Sequence, residues 1–233
     1  MTRSGTSARR PGGVIFDLDG TLADSLADIA SAMNRTLAAH RLPLHPVSAY
    51  RTFVGEGVRK LVERALPPGT EAMREALIAA YQADYAEHLL DETRLFPGIP
   101  ELLDGLQAAG VPVAVLSNKP DVPTRRLVDA LCSRWEFRAV VGERPGVPRK
   151  PDPASALALA DGLGVAPGSI AFVGDTSVDM LTARAASMRP VGVLWGFRPQ
   201  EVLASGAEAA GTGEELARVL GVDGLRGASP SPS

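Results

Sequence analysis

Apolar residues along this chain follow two patterns. Four short runs, GGVIF from Gly12, VPVAVL from Val111, SIAFVG from Ser169 and PVGVLW from Pro190, are apolar at nearly every position. Strands with no polar alternation bury both faces, as in a parallel sheet. A weaker run, FRAVVG from Phe137, lies between the second and third. Elsewhere the spacing becomes helical: PGIPELLDGLQAAG with a glycine stop at Gly110, then DVPTRRLVDALC, ASALALADGLG and VDMLTARAAS. Alternating strands and helices predict an α/β fold built on a doubly wound parallel sheet.

One region departs from that alternation. From Asp24 to Arg94 the spacing is helical throughout: Leu26, Ile29, Ala30, Met33 and Leu37 share one helix face, EAMREALIAAYQADYAEHLL forms a second helix, and FVGEGVRKLVERAL starts a third. The expected organisation is an α/β core of residues 13–23 and 95–222, with residues 24–94 inserted as a helical cap. Ligands of open α/β sheets bind outside the carboxyl ends of the strands, so an insertion there would lie over the site as a lid. Residues 1–12 and 223–233, rich in Ser, Gly and Pro, are expected to be disordered tails.

Composition narrows the function. In 233 residues, 45% are hydrophobic and the formal net charge is −3, with no basic stripe that would suit nucleic acid. No window reaches the roughly 18 apolar residues of a membrane span, and the amino end lacks a signal-like apolar run, so a cytoplasmic protein is expected. The single cysteine, Cys132, excludes an internal disulfide and suits a buried helix position. His40, His45 and His88 show no metal-ligand spacing and are expected on the solvated surface.

The chemistry is concentrated in acids at strand ends. In VIFDLDGTLAD, Asp17 and Asp19 alternate with Leu18, so in extended geometry both carboxylates point the same way while Leu18 faces the core. An Asp-Gly turn explains the glycine but not two aligned carboxylates, which repel unless a cation or a shared proton relieves them. GDTSVDM puts Asp175 and Asp179 after a second strand. Converging carboxylates suit a hard divalent cation, for which Mg²⁺ with carboxylates, waters and a substrate phosphate is the usual arrangement. Ser117, Asn118 and Lys119 end another strand in VLSNKP, and Lys150 sits in the loop RKPDP.

DLDGTLAD, LSNK, KPDP and GDTSVDM, in that order at successive strand ends, resemble the four motifs of the haloacid dehalogenase superfamily. The segments DSLADIASAMNRTLAAH, FVGEGVRKLVERAL, LFPGIPELL and GVLWGFRP resemble its phosphoglycolate phosphatase branch. The resemblance implies a Rossmann-like core and a Mg²⁺-dependent phosphatase acting on a small phosphorylated metabolite. Asp17 would be the nucleophile that becomes an aspartyl-phosphate, and Asp19 the general acid and base. Metal ligands would come from Asp17, the Asp19 carbonyl, Asp175 and Asp179. Ser117, Asn118, Lys150 and the donors of Gly20 and Thr21 would bind phosphate. Selection of the leaving group would fall to the cap segment holding Arg51, Gly55, Glu56 and Gly57. The carboxylate at position 19 favours phosphate esters over carbon–halogen bonds. A phosphomutase, or a regulatory protein that only binds a phosphorylated metabolite, would need the same scaffold. Two departures concern packing: Ser187 stands where relatives often place a helix-ending glycine, and GAEAAGTGEEL lacks an apolar final strand. Oligomeric state is not legible.

Overall fold

The computed structural model describes residues 10–223. The expected tails fall mostly outside this range, but residues 10–12 already belong to the fold: Pro11 is buried and the Gly12 N–H donates to Ser169 O at 2.8 Å. Eight strands follow in chain order: β1 Gly13–Phe16, β2 Ala23–Asp24, β3 Arg94–Leu95, β4 Val113–Pro120, β5 Phe137–Glu143, β6 Ile170–Gly174, β7 Arg189–Val193 and β8 Glu208–Ala210. The helices are α1 Leu26–Ala39, α2 Tyr50–Phe53, α3 Val58–Ala65, α4 Arg74–His88, α5 Ile99–Ala108, α6 Asp121–Leu131, α7 Ala154–Leu163, α8 Ser177–Ala185, α9 Pro199–Ser205 and α10 Gly213–Val219. Among the described residues no helix is long and apolar enough to cross a membrane.

Six strands form one parallel sheet in the order β5-β4-β1-β6-β7-β8. The chain leaves β1 for β4 and β5 on one side, then returns to β6 on the other, so β1 is the topological switch point. Its residues show why the unbroken apolar runs were needed: Val14 and Phe16 enter one buried cluster, while Ile15 enters the other with Ala114, Phe172 and helices α7 and α8. The short β8 departs from expectation. An edge strand needs little apolar surface, and here only Ala210 is fully buried while backbone pairing with β7 carries the rest.

Helices α1 to α4 lie between β2 and β3, which pair antiparallel through Ala23 with Leu95 and Asp24 with Arg94. This two-residue ribbon is the double crossing between sheet and insertion. It is braced by the buried Asp28 carboxylate of α1, which accepts N–H bonds from Glu92 and Thr93 and the Thr93 hydroxyl at 2.6–3.0 Å. The predicted face of α1 is buried, and α4 turns Leu77, Tyr81 and Tyr85, spaced by one turn, toward it and the sheet edge. His45 is not on the solvated surface: half-buried, its Nε2 lies 2.9 Å from Ala65 O and its ring packs edge-on against Tyr50 and Phe53. Cys132 is buried, which pushes its thiol up to about 12.

Helices α5, α7 and α8 end alike. A residue at the cap or just after it turns left-handed, and the next N–H reaches back to the last turn: Val111 to Leu106, Val165 to Ala160 and Met188 to Ala183. Gly110 and Gly164 fill the first two left-handed positions, but Ser187 fills the third at φ 57°. A side chain there costs about 1–2 kcal/mol relative to glycine. Ser187→Gly should therefore stabilise the protein by about 1 kcal/mol, read in thermal melts as a rise of about 2–4 °C at this chain length. No rise would show that the exposed Ser187 hydroxyl compensates the strain.

Candidate active site

The site grows from the end of β1. Asp17 N–H still donates to Val173 O at 2.9 Å, after which Leu18 is buried and its carbonyl accepts from Thr21, Leu22 and Ala23. The turn lies directly on Asp175: a β-carbon at Gly20, whose φ is +83°, would collide with that carboxylate. Gly20 and Thr21 were expected to offer donors to a phosphate, but the turn uses them. Gly20 N–H goes to Ala23 O, Thr21 N–H to Leu18 O and the Thr21 hydroxyl to Asp175 Oδ1.

Three acids converge beside this turn. Lys150 Nζ lies 2.8 Å from Asp17 Oδ1 and 2.7 Å from Asp179 Oδ1. Asp179 Oδ2 also accepts the Thr176 N–H and hydroxyl, so it caps α8 while facing the site. Asp175 Oδ2 accepts the Phe197 N–H at 2.7 Å. Asp17, Asp175 and Asp179 each bring a carboxylate oxygen within 4.8 Å of the others, an arrangement able to hold a metal ion.

Asp19, of which only the backbone carbonyl was expected at the metal, turns its side chain elsewhere. Both its oxygens lie 3.0 Å from Lys119 Nζ, and Oδ1 accepts the Ser25 hydroxyl at 2.6 Å. Ser25 precedes α1 yet makes no capping bond, because its hydroxyl is given to Asp19. Asp17 and Asp19 thus occupy separate electrostatic settings two residues apart.

The charges at the site do not balance. Asp17, Asp19, Asp175 and Asp179 face Lys119 and Lys150, so four buried carboxylates meet two ammonium groups and two negative charges stay uncompensated. Burial is the main cause that pushes Asp17 up to about 7, with Asp179 and Asp19 adding to it and Lys150 opposing. Asp175 is raised well above the carboxylate range, again by burial first and then by Asp179 and Asp17. Burial alone would lower Lys150, but Asp17 and Asp179 outweigh it and raise it. A divalent cation matches the deficit and the all-oxygen donor set.

The other expected residues divide. Ser117 is buried, lines the cavity with Asp17, and its Oγ accepts the Lys119 N–H. Asn118, expected to bind phosphate, clamps the Lys150 loop instead: its Oδ1 accepts Lys150 N–H at 2.9 Å and its Nδ2 donates to the carbonyls of Lys150 and Gly55. Its amide is therefore committed to positioning Lys150.

A cavity of about 530 Å³ separates the helical insertion from the sheet edge, lined by Asp17, Asp19, Lys119 and Tyr85 among others. Gly55 and Gly57 line it, but the loop presents its carbonyls to the core: Val54 O to Arg198, Gly55 O to Asn118 and Glu56 O to Arg149. Gly55 is held at φ +109°, and a β-carbon there would strike the Arg198 guanidinium. Arg51, expected as the leading side chain for substrate selection, donates to Gly196 O at 2.9 Å and does not line the cavity. Glu56 pairs with Arg64 and Arg198. Arg59 and Lys60 pair with Glu75 and Glu63 on the surface. These side chains hold the insertion to itself and to the core.

Arg198 and Tyr85 went unread in the sequence, and Lys119 was seen without a role. Each resembles an ordinary loop or helix residue in one dimension. Only for Lys119 was a signal present, its alternation with Ser117 along β4, which sends both side chains to one face.

Comparison with known proteins supplies the remaining context. The sequence profile of the haloacid dehalogenase-like hydrolases matches residues 14–193. The phosphoglycolate phosphatase of Rhodospirillum rubrum is 37% identical over 207 residues, covering 85% of this chain and 86% of that protein. Phosphoglycolate phosphatase 1 of Pseudomonas aeruginosa is 33% identical, covering 96% and 80%. The crystal structure of a predicted phosphoglycolate phosphatase from Haemophilus somnus superposes with a TM-score of 0.82 at 27% identity, covering 91% and 98%.

The raised acids have a measurable consequence. Asp17 and Asp175 bind protons more tightly folded than unfolded, so with chelator present their contribution to stability falls as pH rises from the ordinary carboxylate range through about 7. A divalent cation replaces those protons. Thermal melts at about pH 6 and about pH 8 should show a larger Mg²⁺-induced rise at the higher pH, and Asp175→Asn should remove it. An equal rise at both pH values would contradict the charge count.

Proposed function

The chain belongs to the haloacid dehalogenase-like hydrolase family and is a phosphatase of phosphoric monoesters, and on that premise we propose that it hydrolyses 2-phosphoglycolate with Mg²⁺ through an aspartyl-phosphate on Asp17. The observation that carries this reading is the division of labour between Asp17 and Asp19. Asp17 belongs to the trio able to hold a metal and shares Lys150 with Asp179, whereas Asp19 stands outside that trio between Lys119 and Ser25.

Asp17, Asp175 and Asp179 would hold the cation, with Asp19 adding only its carbonyl because its side chain is occupied. When bound, Mg²⁺ neutralises charge on the phosphoryl oxygens. Lys150 fixes one oxygen of Asp17, and Ser117 donates its hydroxyl to the transferring group. An Asp17 oxygen forms the bond to phosphorus as the phosphorus–ester oxygen bond breaks, and Asp19 gives its proton to the departing alkoxide. Asp19 then takes a proton from water, whose oxygen bonds to phosphorus as the bond to Asp17 breaks. The outcome is one alcohol and one inorganic phosphate, with both aspartates restored. Such transfer relies on positioning and charge stabilisation more than on covalent work by the protein. The named activities of the R. rubrum and P. aeruginosa relatives support the substrate.

Asp17→Asn keeps the shape of the side chain but removes the anionic nucleophile, and phosphate release should fall to background in a folded protein. Turnover above a few per cent would rule out the covalent route. Asp19→Asn should slow turnover of 2-phosphoglycolate by about 10²–10⁴. With p-nitrophenyl phosphate, whose leaving group needs no proton, acid quench should trap phosphoenzyme in this variant. Equal defects on the two esters would count against Asp19 as the acid.

A further inference from the structure

Lys119 is the buried charge for which the reaction above has no task. Its side chain leaves β4 on the same face as Ser117, its ammonium reaches both oxygens of Asp19 at 3.0 Å, and the Tyr85 ring lies 4.5 Å beneath it. It lines the cavity while being only 9% exposed. A charge desolvated this far needs more than one counter-charge or an aromatic face to hold it. The aromatic face comes from α4 of the insertion and the counter-charge from the turn after β1 in the core, so Lys119 sits where the two parts of the protein meet.

We infer that Lys119 receives the carboxylate of the substrate and thereby selects carboxylate-bearing phosphate monoesters; this rests on the 2-phosphoglycolate reading and deepens it. The argument is chemical. In 2-phosphoglycolate a single methylene joins the ester oxygen to the carboxylate. A substrate that presents its ester oxygen to Asp19 must therefore place its carboxylate beside Asp19 as well. Once Asp19 has given its proton to the departing oxygen, two carboxylates stand side by side, and they repel unless a cation serves both. An ammonium carries three donors, so Lys119 can keep Asp19 and accept a second carboxylate.

Among the described residues no other cation pairs with Asp19. Lys150 is shared by Asp17 and Asp179. Arg126 donates to Ala86 O at 2.7 Å, bridging α6 to α4, and Arg144 lies 4.0 Å from Asp121. Arg51 is held by Gly196 outside the cavity wall. The insertion then acts on specificity through Tyr85: seated over Lys119, it sets where the ammonium points. The Tyr85 hydroxyl is itself buried with no protein partner, within the same wall.

The test compares 2-phosphoglycolate with ethyl phosphate, which has the same two-carbon skeleton and a methyl group in place of the carboxylate. Wild-type protein, Lys119→Met and Lys119→Arg are assayed for kcat/KM on both. Removing the charge disturbs Asp19 and lowers both values, so the readout is their ratio. The preference for 2-phosphoglycolate should shrink by about 10- to 100-fold in Lys119→Met, the range of a charge-assisted hydrogen bond. Lys119→Arg should retain part of it. A preference that survives in Lys119→Met, with both substrates falling by one factor, would overturn the inference and leave Lys119 as a residue that positions Asp19. Wild-type protein with no preference would overturn the substrate reading itself. Inhibition by inorganic phosphate, which uses the Asp17 side of the site, reports whether each variant is folded; if Lys119→Met is not, Lys119→Gln gives the same comparison.

Discussion

Four carboxylates crowd the buried end of the central strand with two ammonium groups to balance them, and the rest of the structure is arranged around that imbalance. Such a cluster disfavours its own folded state, since desolvated like charges either repel or take up protons. The sheet order makes the crowding possible by placing β1 between β4 and β6, so that their carboxyl ends open on one crevice. The neutral surroundings then hold it. Asn118 pins the backbone of Lys150, Phe197 N–H holds Asp175, and Thr176 binds Asp179. Stability is given up at the active edge and recovered in the two apolar layers on either side of the sheet.

The same edge carries the contacts that seat the helical insertion. Three consecutive carbonyls, of Val54, Gly55 and Glu56, are taken by Arg198, Asn118 and Arg149 of the core, while Arg51 of the insertion reaches back to Gly196. Asn118 therefore links two tasks, since one amide holds both the Lys150 loop and the insertion loop. The seating of the insertion loop and the placement of Lys150 are mechanically connected through it. On the opposite wall, Tyr85 connects the insertion to Lys119 and so to Asp19.

Much of this was legible in the sequence, and the limits have physical causes. Strands β1, β4, β6 and β7 declared themselves because burial on both faces demands unbroken apolar runs. Strand β8 did not, because an edge strand of three residues needs one buried alanine, and the ribbon of β2 and β3 is shorter than any periodicity can register. Asp17, Asp19, Asp175, Asp179 and Lys150 were readable as candidates from their places at strand ends and in one proline-rich loop. What each donor would touch was not: Asn118, Gly20 and Thr21 looked like phosphate ligands, yet their groups are consumed by the backbone that shapes the site. Arg51 looked like a substrate cation and is a fastening to the core. Sequence places a residue type at an edge, whereas side-chain direction depends on partners tens of residues away.

The central claim is that the acids cannot receive a phosphate until a divalent cation offsets their excess charge. Titration of inorganic phosphate into the protein, followed by calorimetry with Mg²⁺ and again with chelator, tests it most directly. The account predicts saturable binding to one site with Mg²⁺ and none detectable without it. Phosphate binding of equal strength in chelator would show that Lys150 and Ser117 suffice, and would contradict the role assigned to the acidic trio.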